Sequence, residues 1–464
     1  MTVRKFAAAL LMTTALSACN AHSQYTASTP APTLTVSVPQ VSDHSAEWSP
    51  GFKALVERVL VQHPEWLAAK AGLNSAAWGV AIADSAFLPS VGLSAKGGYT
   101  DMGGMIKPSA TGSVGFDASW TLIDFGAGAR ADAARWSALA AARSPAERLE
   151  VIALQVMEVY TDLVRHNALT QALRNAVAWH REVLETAKAR ASFGTGSAGD
   201  VPFIAARLAA AEIALSEAEN LLADAGSRYR RVTGEEPEQQ LSMPSKLPLS
   251  ASEELATDPV IIGTHPTVAI LGNQLEATIN EMVALDLDGF GRLGIGFSGA
   301  GWSRVVGMAA VSPWTMGAAL IHLDIPIADA KRRAQLAKAK AEIAVTLAKG
   351  EDTRRSVRFA VEQAYHAASA AVTQEQLSVE QATAAAKARD AYLAEYRSGN
   401  RTITELLTVG DENIRAAGKR VDAGARAAFA TYRVTAAQGN LGLILGINYE
   451  AQSVKQILDL AGQD

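Results

Sequence analysis

Cysteine is almost missing from this chain: of 464 residues only Cys19 carries a thiol. A single cysteine closes no internal disulfide, so the chain must be held by packing and hydrogen bonds. Aromatic residues are scarce at 6%, and charged residues reach only 19% with a formal net charge of -5. Bulky side chains are therefore too few for a thick globular core, and no basic footprint exists for nucleic acid. A long apolar run is lacking beyond the N-terminus. The nearest candidate, 305–321, is broken by Ser312-Pro313, is rich in glycine and is slightly short for a helical span. It reads as a loop feeding a strand. The eight histidines include no i, i+4 pair and have no cysteine company, which leaves a metal site unsupported. Neither a Walker lysine nor a nucleophile elbow is present, so the sequence reads as no enzyme and as needing no cofactor. Two stretches match GxGxxG, 194–199 and 289–294, but neither follows a strand and opens a helix as a dinucleotide site requires.

What the chain does have is repetition. His63-Pro64 opens a helical stretch, then a short alternating strand, a glycine-rich loop, a second strand and a very long alanine-rich helix. His265-Pro266 opens the same series again. The match is best where each long helix ends, since Gly194 to Val201 and Gly399 to Leu406 both read G-x-x-[ST]-x-x-[DE]-[LV]. At the N-terminus, Arg4 and Lys5 precede the apolar run 6–16, a secretory signal over 1–18. Leu16-Ser17-Ala18-Cys19 resembles a bacterial lipobox, which implies that Cys19 becomes an acylated, palmitate-bearing N-terminus. Asn20 is not the aspartate that usually retains such lipoproteins in the inner membrane, so the outer membrane is favoured. Residues 19–47, rich in Ser, Thr, Pro and Ala, read as a lipidated flexible tether.

Helical pattern runs over 52–87 with an interruption at His63-Pro64. Strict alternation then marks four strands. Val91, Leu93, Ala95 and Tyr99 carry the first, and Val114, Phe116, Ala118, Trp120 and Leu122 the second. Leu293, Ile295 and Phe297 carry the third, and Ile321, Leu323 and Ile325 the fourth, where His322 beside Asp324 reads first as a satisfied polar pair and second as a group facing a lumen. From Gly126 to about Ser192 only Pro145 opposes a helix, a length of roughly 100 Å. Leu149, Ile152, Val156, Val159, Leu163, Leu173, Val177 and Leu184 form a coiled-coil-like seam along it. A return helix starts from Pro202 and is closed by Gly234; the second half mirrors this with 330–397 outward and 404–445 back.

The domain reading is a first repeat over 48–234, a linker over 235–259, a second repeat over 260–448 and a tail over 449–464. The strand pairs fall at 88–100 with 113–124 and at 291–302 with 315–327; the helical turns fall at 193–201 and 397–405. Four strands cannot close a barrel, and an open sheet in a membrane would leave two bare edges. A lipid-facing sheet therefore demands oligomerisation: two copies give eight strands and a filled lumen, three give twelve and an aqueous pore.

Tyr396-Arg397-Ser398-Gly399-Asn400-Arg401-Thr402-Ile403, the two His-Pro openings, Trp120 to Gly126 and Pro326 to Asp329 together make the chain resemble the TolC family of outer-membrane efflux and secretion proteins. The resemblance implies a mainly α fold with a small β part. Its assembly would be a homotrimer whose 12-stranded β-barrel, four strands per protomer, continues into a long periplasmic α-helical barrel. It implies a passive duct of a tripartite efflux or type I secretion system, served by an inner-membrane transporter and a periplasmic adaptor that docks on the helical turns. For this chain the adaptor-contact turns would be Gly194, Gly196, Ser197, Gly399, Thr402 and Ile403, and the periplasmic aperture Asp200, Arg401 and Glu405. Thr408 stands where the family often places a second acid. A plainer reading is that Asp200 and Glu405 serve helix N-termini through the dipole. A structural lipoprotein that scaffolds envelope partners without conducting is the alternative function, and it needs no lipid-facing strands.

Overall fold

The computed structural model describes residues 50–100, 109–197, 199–238, 241–250, 252–305 and 312–447. Cys19, the tether and the tail 449–464 lie outside the described residues. Helices α1 (Pro50–Gln62) and α2 (Pro64–Asp84) lead into strands β1 (Ser90–Thr100) and β2 (Ser109–Asp124). The long helix α3 (Ala127–Ser192) and its return α4 (Asp200–Thr233) follow. Short helices α5 (Glu253–Ala256) and α6 (Pro259–Thr264) precede α7 (Pro266–Leu287), β3 (Arg292–Val305) and β4 (Ser312–Asp324). Then come α8 (Ala330–Arg397), α9 (Ile403–Ala437) and the single turn α10 (Leu441–Ile444).

Several bounds differ from the sequence expectation, each for a local reason. The fourth strand stops at Asp324 rather than 327, because Pro326 has no N–H to give the ladder. Helix α4 begins at Asp200, two residues before Pro202. The second return helix ends at Ala437, not 445: Gly439 turns left-handed (φ +72°), and a side chain there would strike Pro266, 2.5 Å from its Cδ. The linker 235–259 contains α5. Along α3, Leu149, Ile152, Val156, Leu163 and Val177 are buried as the seam requires, whereas Val159, Leu173 and Leu184 are half-buried. Much of the remaining buried surface of α3 is alanine, from Ala127 to Ala142 without a larger apolar side chain, so its neighbours approach closely. Pro145 sits buried inside the helix, its lost hydrogen bond tolerated because packing on both flanks holds the backbone.

The strands form one antiparallel sheet in the order β1-β2-β3-β4. Its register sorts the two faces row by row. Val91, Ala118, Phe297 and Ala319 share one row; Trp120, Ile295 and Ile321 share another on the same face. Ser90, Ser119 and Gly296, then Thr121, Gly294 and His322, and finally Asp124, Arg292 and Asp324 lie on the opposite face. The register shift between Thr121 and Ile123 leaves Leu122 without a partner across β3. Ile123 takes the apolar row with Leu293 instead, a consequence of the bulge that alternation alone does not show. The apolar face is bare: Leu93 is 82% exposed, Val91 78% and Ile321 75%.

Asp124 joins sheet to helix. Its Oδ1 accepts the N–H groups of Gly126 (3.0 Å) and Ala127 (3.1 Å), while its Oδ2 takes Arg130 (2.6 Å) and Arg292 (3.2 Å). Asp329 repeats the capping role for α8 through the Arg332 N–H at 3.0 Å. Next to the sheet the helices pack in the order α2-α3-α7-α8; beyond the equator they pack in the order α4-α3-α9-α8. Helix α3 is internal in both tiers, which explains its many buried positions, whereas α8 is at an edge in both and buries only seven. No comparable packing joins α2 or α4 to α8 among the described residues.

At the equator the linker runs over the helices as an extended strap. The hydroxyls of Tyr160 and Tyr432 donate to the carbonyls of Ser242 (3.0 Å) and Ser245 (3.2 Å), and the Leu247 N–H donates to Thr431 Oγ1 (3.1 Å). Nearby, Glu150 on α3 accepts the N–H groups of Leu441 (2.9 Å) and Gly442 (2.8 Å), tying the first repeat to the end of the second. Burial pushes the Glu150 carboxyl up to about 7, against the two N–H bonds that favour its charged form. Because the folded value is raised, the stability linked to this group is complete below the unfolded carboxylate range and is lost as pH rises through about 7. Replacing Glu150 by Gln should remove that dependence. Melting of both proteins between pH 5 and 8 should show the Glu150→Gln variant gaining on the native chain as pH rises, by on the order of 1–3 kcal/mol.

Candidate functional site: the paired helical turns

The end of the molecule remote from the sheet is built by two turns, α3 to α4 and α8 to α9. Both long helices stop the same way. Gly194 (φ +68°) and Gly399 (φ +86°) adopt the left-handed conformation that a side chain would disfavour. The following N–H groups fold back, Thr195 to the Arg190 carbonyl (3.0 Å) and Asn400 to the Glu395 carbonyl (2.9 Å). The restarts differ. Helix α4 opens on Gly199 without a side-chain cap, whereas α9 opens on Thr402 with a complete capping box to Glu405.

Arg401 and Glu405 are brought together within the second turn. Arg401 Nε donates to Glu395 at 2.7 Å, its Nη1 donates to Glu405 at 3.2 Å, and its guanidinium lies 4.4 Å from the Tyr392 ring centre. The bond to Glu395 raises the Arg401 pKa further above its ordinary value. Glu405 Oε2 accepts both the Thr402 N–H and the Thr402 hydroxyl at 2.9 Å, and the backbone bond comes first in holding its carboxyl below the usual range. Asp200 is not among the partners of Arg401. Its charge falls instead on Tyr396, whose hydroxyl is pushed up first by burial and then by Asp200, with Arg190 opposing. Of the expected adaptor-contact residues, Gly194, Ser197, Gly399 and Thr402 are exposed and Gly196 is partly so. Ile403 is not: at 7% exposure it packs into the core of the tip, because the capping box turns the first residue of α9 inward.

That core joins the two repeats. Trp179, Val183 and Ala187 of α3 meet Ile204 of α4, Tyr396 of α8, and Ile403, Leu406 and Leu407 of α9. The residue that ties one turn to the other is Arg190, which sequence reasoning passed over. Its Nη1 donates to the Tyr396 carbonyl, its Nη2 donates to the Thr195 carbonyl at 3.1 Å, and its guanidinium lies 4.7 Å from the Tyr396 ring centre. A signal existed: Arg190 precedes Gly194 by the same four residues as Glu395 precedes Gly399. Arg397 with Glu182 and Arg207 with Asp411 (3.4 Å) add ion pairs between the repeats. No group of metal-ligating side chains occurs among the described residues.

Residues 55–235 match the sequence model of the outer membrane efflux protein family. That match covers less than half of the chain. The first repeat carries the sequence match, and likeness of fold extends over the rest. VceC of Vibrio cholerae superposes with a TM-score of 0.68 at 16% identity, over 84% of this chain and 96% of that one. The CmeC outer membrane channel of Campylobacter jejuni gives 0.70 at 14% identity over 89% of both chains. The open-state MtrE outer membrane channel of Neisseria gonorrhoeae gives 0.69 at 16% identity, over 84% of this chain and 89% of that one. The curated proteins give no match in sequence.

Arg190→Ala should free the first turn from the second, costing about 1–3 kcal/mol for the charged hydrogen bonds removed. Chymotrypsin should then cut faster beside the exposed Phe193, while Lys188→Ala, which removes only a solvent-exposed pair with Glu185, should leave the rate unchanged.

Proposed function

We propose that this protein is the outer-membrane exit duct of a tripartite export system, formed by three copies of the chain. The observation that carries the reading is that each tier is an open array of four elements with two free edges: β1 and β4, α2 and α8, α4 and α8. A bare strand edge in hydrocarbon costs several kcal/mol for each unsatisfied group, so the sheet needs neighbours. Four alternating strands let β4 of one copy meet β1 of the next in the antiparallel sense, so copies close into a ring without any change of pairing type. Three copies give twelve strands, with the apolar face towards lipid and the row Asp124-Arg292-Asp324 towards an aqueous bore. The same closure covers the exposed sides of α8. The outer-membrane channels of similar fold support the transport reading.

Cys19 anchors the mature chain by acylation, and the tether over 19–47 leaves the body free to sit beside its anchor. The periplasmic adaptor docks on Gly194, Gly196, Ser197, Gly399 and Thr402, and the inner-membrane transporter chooses the cargo. Arg401 with Glu395 and Glu405 stiffens the second turn, and Asp200 enters the closing network through the neighbouring chain or through Tyr396. Release of this network on recruitment of the pump opens the duct.

Single-channel recording in planar bilayers tests the reading. The native protein should form discrete conducting channels, and Arg401→Glu, which sets like charges against Glu395 and Glu405, should raise their conductance severalfold. A purified trimer that passes no current at all would make it a scaffold. Metabolic labelling with palmitate should mark the native chain and not Cys19→Ser.

A further inference from the structure

Gly410 lies inside α9, two turns past the second helical turn, where glycine is a poor helix former. Its position has a specific reason. A Cβ there would lie 2.0 Å from Cη2 of Trp179, closer than any real contact, and 2.5 Å from Cζ3 of the same ring. The indole of α3 therefore fills the space that any other residue of α9 would claim, a knob from the first repeat in a notch of the second. Trp179 is 8% exposed and stacks edge-on against His180, 4.8 Å between ring centres.

The surroundings of this contact are unlike the equator. The buried Trp179 Nε1, His180 Nδ1 and Tyr396 hydroxyl each lack a hydrogen-bond partner, and so does Arg190 Nε. At the equator the tyrosine hydroxyls and threonines around the strap are paired with backbone groups. Shape, not polar bonding, thus fixes the separation of α3 and α9 at the tip.

We propose that Trp179 seated against Gly410 is the positioning contact that sets the bore at the periplasmic tip. The proposal rests on the duct reading above. The elements α4-α3-α9-α8 are neighbours around the circumference of the tier. In a ring closed from such arrays the bore grows with the spacing between adjacent helices. Trp179 against Gly410 gives the least spacing an indole permits, and any atom added at Gly410 becomes a wedge that widens the tip.

The test uses the full-length protein in planar phospholipid bilayers. Gly410→Val should raise single-channel conductance about twofold or more over the native channel. The double variant Trp179→Ala/Gly410→Val should return it to the native value, because the added methyls occupy the space the ring vacates. Thermal unfolding of the trimer should follow neither change in conductance, which separates a gate setting from general loosening. Gly410→Val trimers with native conductance would overturn the proposal and leave the duct reading intact. Absence of current from the native protein would overturn the duct reading itself. If Gly410→Val does not assemble, Gly410→Ala is recorded instead, since its single added carbon still meets the ring. Failure of both to assemble while the double variant does would assign the contact to folding, and the proposal would fall.

Discussion

Neither the sheet nor either tier of helices closes on itself among the described residues, and that constraint organises everything else. The sheet ends at β1 and β4, the upper helices end at α2 and α8, and the lower ones end at α4 and α8. Among the described residues only α3 and its inner neighbours α7 and α9 are packed on both sides. The hydrophobic effect scales with area removed from water, so an open array leaves much of its stabilisation unrealised until its edges are covered. Leu93, Val91 and Ile321 on the sheet and the exposed flank of α8 are where that unrealised stabilisation is held.

Small residues make the arrangement possible. Alanines from Ala127 to Ala142 let α3 lie close to its neighbours, and glycines are spent where chain direction or proximity demands them. Gly194 and Gly399 end the long helices, Gly439 breaks the last one against Pro266, and Gly410 admits Trp179. Polar groups then fix the joints. Asp124 serves at once as helix cap and as ion-pair partner for Arg130 and Arg292, so strand and helix directions are set by one carboxylate. The strap at the equator and Glu150 bind the end of one repeat to the body of the other.

The two turns show how duplicated parts acquire different duties. Their helix stops are copies, but their restarts are not: one has a capping box and an arginine satisfied within its own turn, the other an aspartate that caps nothing. The cross-connection comes from the first turn, through Arg190 and Trp179. Local polar bonds stiffen the second turn, while the contact between turns combines the Arg190 bond to the Tyr396 carbonyl with ring packing in which several polar atoms have no partner.

The sequence by itself determined the element order, the duplication, the strand faces and the approximate ends of the long helices. Each of these is written in short-range terms: period two in Val91 to Ala95, period three to four from Leu149 to Val177, and a glycine at each stop. Arg401 and Glu405 were marked through the family resemblance, which a contiguous turn motif carries. Only the tertiary structure decided the bulge that exchanges Leu122 for Ile123 and the inward position of Ile403. The same holds for the break at Gly439 and for the meeting of Trp179 with Gly410 across 231 positions (410 − 179). Those outcomes depend on which surfaces meet after helices of 66 and 68 residues have packed, and a small angular difference near the equator moves contacts at the tip by many residues. Periodicity gives each helix a buried face, but the partner for that face is set by the closeness that alanine and glycine on its neighbour permit.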